Sequence, residues 1–142
     1  MQPINKMKTE FLSKSSNEAF ARVAAAAFAA QADPSIEILA DIRTAVSEAV
    51  TNSIIHGYGE KEGIVAMICT LFPGYIEIVV EDFGKGIEDI EQAKTPLFTT
   101  RPDLERSGMG FTVMETFMDS LEIESKPGQG TRIRMTKQLE NR

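Results

Sequence analysis

Three short stretches of the chain carry residue types that do chemistry when they are held together. In VSEAVTNSIIHGY (46–58), Glu48 and Asn52 stand four residues apart. On a helix their Cβ atoms are neighbours at roughly 5–6 Å. A carboxylate beside an amide can orient a hydroxyl or a water and hold a hydrated magnesium ion. A solvated helix face has the same spacing, so the pair needs support from elsewhere. In EDFGKGI (81–87), Asp82 closes an apolar alternating run. There its carboxylate can accept a hydrogen bond from an exocyclic amine, while Gly84 and Gly86 let backbone approach a flat ligand; a polar turn is the plainer alternative. In RSGMGF (106–111), Ser107, Gly108, Met109 and Gly110 lead into an apolar helix. Its free N–H groups and positive dipole end favour phosphate. Arg106 adds a fork of donors suited to a terminal phosphate. Pro96, Thr99, Thr100 and Pro102 then belong to a lid that closes over the site.

Other chemistries lack their residues. Asp82-Phe83-Gly84 spells the magnesium motif of eukaryotic-type kinases, but the catalytic-loop pattern and the strand lysine are missing. Neither glycine run continues to the dinucleotide spacing, and there is no G-x-x-x-x-G-K-[ST]. His56 is the one histidine and Cys69 the one cysteine, which excludes a structural zinc site and an intrachain disulfide. The 142 residues carry a formal net charge of -6, so direct binding to nucleic acid is not expected. The run AAAAFAA (24–30) is too short for a membrane span and lies inside a helical pattern. No secretory signal is recognised, so a cytoplasmic protein is expected.

The elements that must position these residues follow from periodicity. Lys6 to Ser13 alternates, with Met7, Thr9 and Phe11 on one side, as a first strand does. Ser15 and Glu18 offer a capping box for a helix whose apolar positions are Phe20, Val23, Ala24, Ala27 and Phe28. Asp33-Pro34 interrupts it, and a second helix from about Ser35 to His56 carries Ile42, Val46, Ala49, Val50 and Ile54 as its stripe. Strands are expected at 64–72 and 75–82 around the turn pair Pro73-Gly74. Residues 83–107 form a long irregular connection, and a third helix covers about 109–118. Final strands near 120–126 and 131–138 flank Pro127-Gly128-Gln129-Gly130. The order β-α-α-β-β-loop-α-β-β implies one α/β domain over residues 1–142, with helices on one face of a mixed or antiparallel sheet.

The order of the boxes resembles the GHKL ATPases, which include gyrase and the histidine kinases. Glu48-x-x-x-Asn52 matches their N box, Asp82-x-Gly84-x-Gly86 the first glycine box, Gly108-x-Gly110 the second, and Gly130-Thr131 a late Gly-Thr. Segments 46–58 and 96–119 are further similar to the anti-sigma-F family of sporulation, which are protein serine kinases, and the likeness runs from about residue 5 to 137. This resemblance implies a two-layer Bergerat fold that binds ATP or ADP with Mg2+. Glu48 would polarise the acceptor serine, and Asn52 would hold magnesium on the phosphates. Asp82, assisted by Thr131, would read the adenine amino group. Gly84, Gly86, Gly108 and Gly110 would shape the pocket, and Arg106 would reach the terminal phosphate.

The implied partners are sigma factor F, held out of transcription, and an anti-anti-sigma protein that is phosphorylated on a serine. A homodimer is implied too, with the first strand's unpaired edge as a pairing surface. Glu18 and Arg22 suit an ordinary helical salt bridge, and the resemblance makes the same helix a partner contact. A non-catalytic nucleotide-gated binder and a stress-response anti-sigma kinase remain open as alternatives.

Overall fold

The computed structural model describes residues 2–94 and 110–140. Strand β1 (Asn5–Leu12) starts the fold, with Met7, Thr9 and Phe11 half-buried and the residues between them exposed, as the alternation predicts. Helix α1 follows at Asn17–Ala29. The expected capping box is not made. Ser16 takes the cap position in helical conformation without a side-chain bond, and the Asn17 side chain instead donates to the Leu12 carbonyl at 2.9 Å.

The apolar face of α1 also differs from the expected one. Ala21, Ala25 and Ala29 are fully buried, whereas Phe20 and Val23 are 53% and 59% exposed. Alanines spaced four apart let the helix backbone lie close to its neighbour, and that close packing takes the inner face away from the larger side chains. Only Phe28 of the bulky expected positions is buried.

Helix α2 (Ile36–Asn52) is capped by Ser35, whose hydroxyl accepts from the Ile38 amide at 3.2 Å. Ile42, Val46, Ala49, Val50 and Ile54 are all buried, so the apolar stripe holds along its length. The winding changes after Asn52. Residues Ser53–Tyr58 form a π turn, closed by an amide-to-carbonyl bond from Gly59 to Ile54 at 3.1 Å. Such a widened turn is frequent at functional sites.

Strands β2 (Ile64–Phe72) and β3 (Tyr75–Asp82) form a hairpin, and β4 (Ser120–Lys126) and β5 (Gly130–Gln138) form another. The sheet order is β1-β2-β3-β5-β4 with every adjacent pair antiparallel, which settles the choice between mixed and antiparallel. The connection after β3 is not wholly irregular. It contains a short helix, α3 (Ile90–Ala93), capped by the Asp89 carboxylate, which accepts from the Gln92 amide at 3.0 Å. Helix α4 (Gly110–Phe117) precedes β4 and sends Phe111 and Met114 into the core.

The core lies between the helices and one face of the sheet: Ile42, Val46 and Val50 meet Met67, Ile78, Val80, Ile133 and Met135. On the other face, Arg134 bonds Glu77 at 2.8 Å and Glu122 at 3.2 Å, and Arg132 bonds Glu81 at 3.1 Å. Each half-exposed pair contributes at most about 1 kcal/mol. Burying a side chain such as Ile78 or Ile133 contributes about 1.5–3 kcal/mol, so the inner face sets the register. The outcome is a two-layer α/β sandwich.

Cys69 on β2 is fully buried, and loss of hydration pushes its thiol up to about 12. Native protein should therefore resist a thiol-specific reagent at pH 8 and react fully once unfolded in denaturant; rapid native labelling would contradict this packing.

Candidate functional site

The site is built where the end of β3 meets the turn after α2. Asp82, the last residue of β3, is 2% exposed. Its Oδ1 accepts from the Gly84 amide at 3.0 Å. Its Oδ2 is buried without a hydrogen-bond partner among the described residues. Burial pushes the Asp82 carboxyl upward, against the opposing pull of the Gly84 amide, the Ser53 hydroxyl and the Thr131 amide. Ser53 Oγ is fully buried and close enough to pull on that carboxyl, yet it completes no well-formed hydrogen bond among the described residues. Two orphaned polar atoms side by side mark a place prepared for a polar ligand.

The π turn delivers the neighbours of this carboxylate. Gly57 lies beneath it, so close that a Cβ there would come within 2.8 Å of the Asp82 carboxyl carbon. A Cβ on Gly84 would collide with the Gly57 carbonyl, and one on Gly86 with the Lys126 carbonyl. The bare backbone at Gly84 and Gly86 thus makes room first for the protein's own chain. Between them, the Lys85 amide donates to the Gly57 carbonyl at 2.9 Å, and the Lys85 carbonyl accepts from the Gly128 amide at 2.6 Å. The first glycine box is clamped between the turn after α2 and the β4–β5 turn.

Tyr58 adds a second clamp. Its hydroxyl donates to the Ile64 carbonyl and accepts from the Phe83 amide at 2.8 Å. Burial raises its pKa, opposed by the Phe83 amide.

Thr131 pairs with Asp82 across β3 and β5 and is 5% exposed, so the two side chains share one face. Glu48 and Asn52 both occupy partly buried positions, and Asn52 ends α2 immediately before Ser53. Gly110 opens α4, which packs against α2. The fold thus gathers the N box, the first glycine box and Thr131 at one end of the sandwich. Thr99, Thr100, Arg106, Ser107, Gly108 and Met109 lie outside the described residues. Glu18 and Arg22 form the expected ion pair on α1, at 2.8 Å, away from this site. Sequence reasoning missed Ser53, Gly57 and Tyr58; the only signal for the last two was His-Gly-Tyr-Gly, which read simply as a helix stop.

Residues 13–137 match the Histidine kinase-like ATPase domain family. The chain is 67% identical over 138 residues to the anti-sigma F factor of Clostridium novyi (strain NT), covering 96% of each chain. It is 63% identical over 139 residues to that of Thermoanaerobacter sp. (strain X514), covering 98% of this chain and 97% of the relative. The chain belongs to the anti-sigma F factor family. Among solved structures, it superposes with a TM-score of 0.70 and 19% identity on a crystal structure of the RsbU and RsbW domains of a Mycobacterium tuberculosis protein. That match covers 96% of this chain and 32% of the other, so it speaks for the fold. An anti-sigma factor with a kinase-like ATPase domain is what the sequence resemblance implied.

Within this family member, two substitutions probe the clamp. Gly84→Ala should destabilise the fold by about 1–3 kcal/mol in a denaturant titration, because the added carbon meets rigid backbone. Asp82→Asn should act oppositely on stability. The folded-state pKa of Asp82 is raised, so stability falls as the pH climbs from the unfolded carboxyl value through the raised folded one, and the penalty is complete above it. The amide variant should be more stable at pH 7 by about 1 kcal/mol, the low end of the cost of an unpaired buried polar group. The gain should vanish near about pH 3, where both chain states hold the proton. Thermal unfolding across that range checks both the sign and the fading.

Proposed function

We propose that this chain, acting as one domain over residues 1–142, is an ATP-dependent serine kinase that also sequesters a sporulation sigma factor, sigma F. Its substrate is the anti-anti-sigma protein that competes for the same kinase. Since it acts on a transcription factor, its place is the cytoplasm. The observation that carries the nucleotide assignment is the buried Asp82 Oδ2 with no partner among the described residues. That atom suits the exocyclic amine of adenine, a donor that would satisfy it. Gly57 and Gly84 present bare backbone beside it.

The donor set also fits magnesium. The Asn52 amide oxygen would offer one hard oxygen ligand, the kind Mg2+ takes alongside water and substrate phosphates. Bound Mg2+ would neutralise the charge of the phosphates. Asn52 would hold that ion at the end of α2, and Glu48, one turn earlier, would accept the proton of the incoming serine hydroxyl. Asp82 and Thr131 would keep the base fixed while Gly110 presents the start of α4 to the phosphates. The second glycine box and Arg106, with Thr99 and Thr100, would close the site. Phosphoryl transfer asks little covalent work of the protein, so positioning and charge neutralisation carry the rate. Once phosphorylated, the partner adds negative charge beside a protein of net charge -6, which favours release.

Partner binding is assigned to α1 and β1. Arg22 projects from the same helix as the exposed Phe20 and Val23, and β1 lies at one edge of the sheet. A homodimer through this region would leave the nucleotide end free.

The deciding experiment supplies labelled ATP and the serine-bearing partner. Glu48→Ala should bind ATP normally while phosphate transfer to the partner serine falls about 10²–10⁴-fold. Undiminished transfer by that variant would remove Glu48 from its role. Phosphate appearing on the chain's own His56 would replace the serine-kinase proposal with a histidine-kinase one.

A further inference from the structure

Thr131 does not stand alone beside Asp82. Strand register places Asp82, Thr131 and Ser125 in one row across β3, β5 and β4. Side chains so paired lie on one face of the sheet, within reach of each other. Ser125 Oγ contacts three groups: the Ile87 amide at 2.7 Å, the Gly130 carbonyl at 2.9 Å and Thr131 Oγ1 at 2.9 Å.

Proton accounting leaves one arrangement that satisfies all three contacts. The Ile87 N–H can only donate, so it uses one Ser125 lone pair. The Gly130 carbonyl can only accept, so it takes the single Ser125 hydroxyl proton. The Thr131 contact must then be donated by Thr131 into the remaining Ser125 lone pair. With its hydrogen turned toward Ser125, Thr131 Oγ1 offers its surroundings lone pairs only. Next to it, Asp82 Oδ2 is an acceptor as well.

We propose that Ser125 is a positioning residue that locks the Thr131 hydroxyl as an acceptor and so sets the choice of purine at the site. Two fixed acceptors favour a base with an amino group at position 6 and reject one with an oxo group there. The proposal rests on the nucleotide assignment of the preceding section. It adds that discrimination is set by a residue outside the four boxes, through the rotor of another side chain. Ser125 itself need not touch the nucleotide.

The test compares ADP with inosine diphosphate, which differ only at position 6 and the adjacent ring nitrogen. Equilibrium affinities are measured on the full chain with Mg2+ for wild type, Ser125→Ala, Ser125→Cys and Ser125→Thr, with folding checked by circular dichroism. Wild type should strongly prefer ADP. In Ser125→Ala the freed Thr131 hydroxyl can rotate and donate to the oxo group. The preference should then fall about tenfold while ADP affinity changes much less. Ser125→Cys, which keeps the volume but is a poor acceptor, should move the same way if the alanine variant folds badly. Ser125→Thr, which keeps the hydroxyl, should restore the wild-type preference. An unchanged preference in both hydroxyl-less variants overturns the proposal, as does an equal loss for the two nucleotides. Wild type binding neither nucleotide would instead overturn the nucleotide assignment, and this inference with it.

Discussion

A carboxylate held almost out of water, with one oxygen paired and the other bare, is the constraint around which this molecule is arranged. Hydration is the cheapest way to keep Asp82 ionised, and the fold removes it. The amides of Gly84 and Thr131 and the Ser53 hydroxyl return part of that stabilisation. Each is in reach only because another feature puts it there: the π turn for Ser53, the bare glycine backbone for Gly84, the β3–β5 register for Thr131. The residual imbalance is a local instability that a well-placed donor would relieve. Structures concentrate such strain where they bind and act.

The rest of the architecture keeps that arrangement rigid. Lys85 is bonded through its backbone on both sides, to Gly57 and to Gly128, so the first glycine box cannot shift without disturbing both turns. Tyr58 ties the same loop to the start of β2. The two ties at Lys85 are backbone amide-to-carbonyl bonds, which is why glycines mark that part of the region, while Tyr58 ties through its hydroxyl. By contrast, the outer face of the sheet carries glutamate–arginine ladders in solvent, which keep that face charged and add little to stability.

Much of this was legible in the sequence, and the exceptions have identifiable causes. Strands β3 to β5 alternate because one face of each meets a single apolar layer, so period two survives in the residues, whereas β2 is apolar and buried almost throughout and was delimited by the Pro73-Gly74 turn. Asp82, Gly84 and Gly86 stood out for the same reason, at the point where alternation stops. The face of α1 was misread because hydrophobicity ranks Phe20 and Val23 above alanine, whereas close helix approach ranks alanine first. The capping box at Ser15 and Glu18 had the right residues, but tertiary packing set the helix start elsewhere. Ser53, Gly57 and Ser125 were invisible for a different reason. Their importance depends on a π turn and on strand register, and neither leaves a local pattern. The family likeness supplied what periodicity could not, chiefly the roles proposed for Glu48, Asn52 and Thr131.

The sheet order has one further consequence, for synthesis. Strand β5 follows all the others in the chain, yet it lies inside the sheet, between β3 and β4. The β2–β3 hairpin needs only neighbouring residues, while the wall that carries Thr131 must wait for an interior strand made late. A nascent chain still tethered before β5 leaves one side of β3 unpaired and the Asp82 carboxylate facing water instead of Thr131. A fragment lacking β5 therefore has no finished pocket, and the ability to take up ligand arrives only once that strand is free to pair.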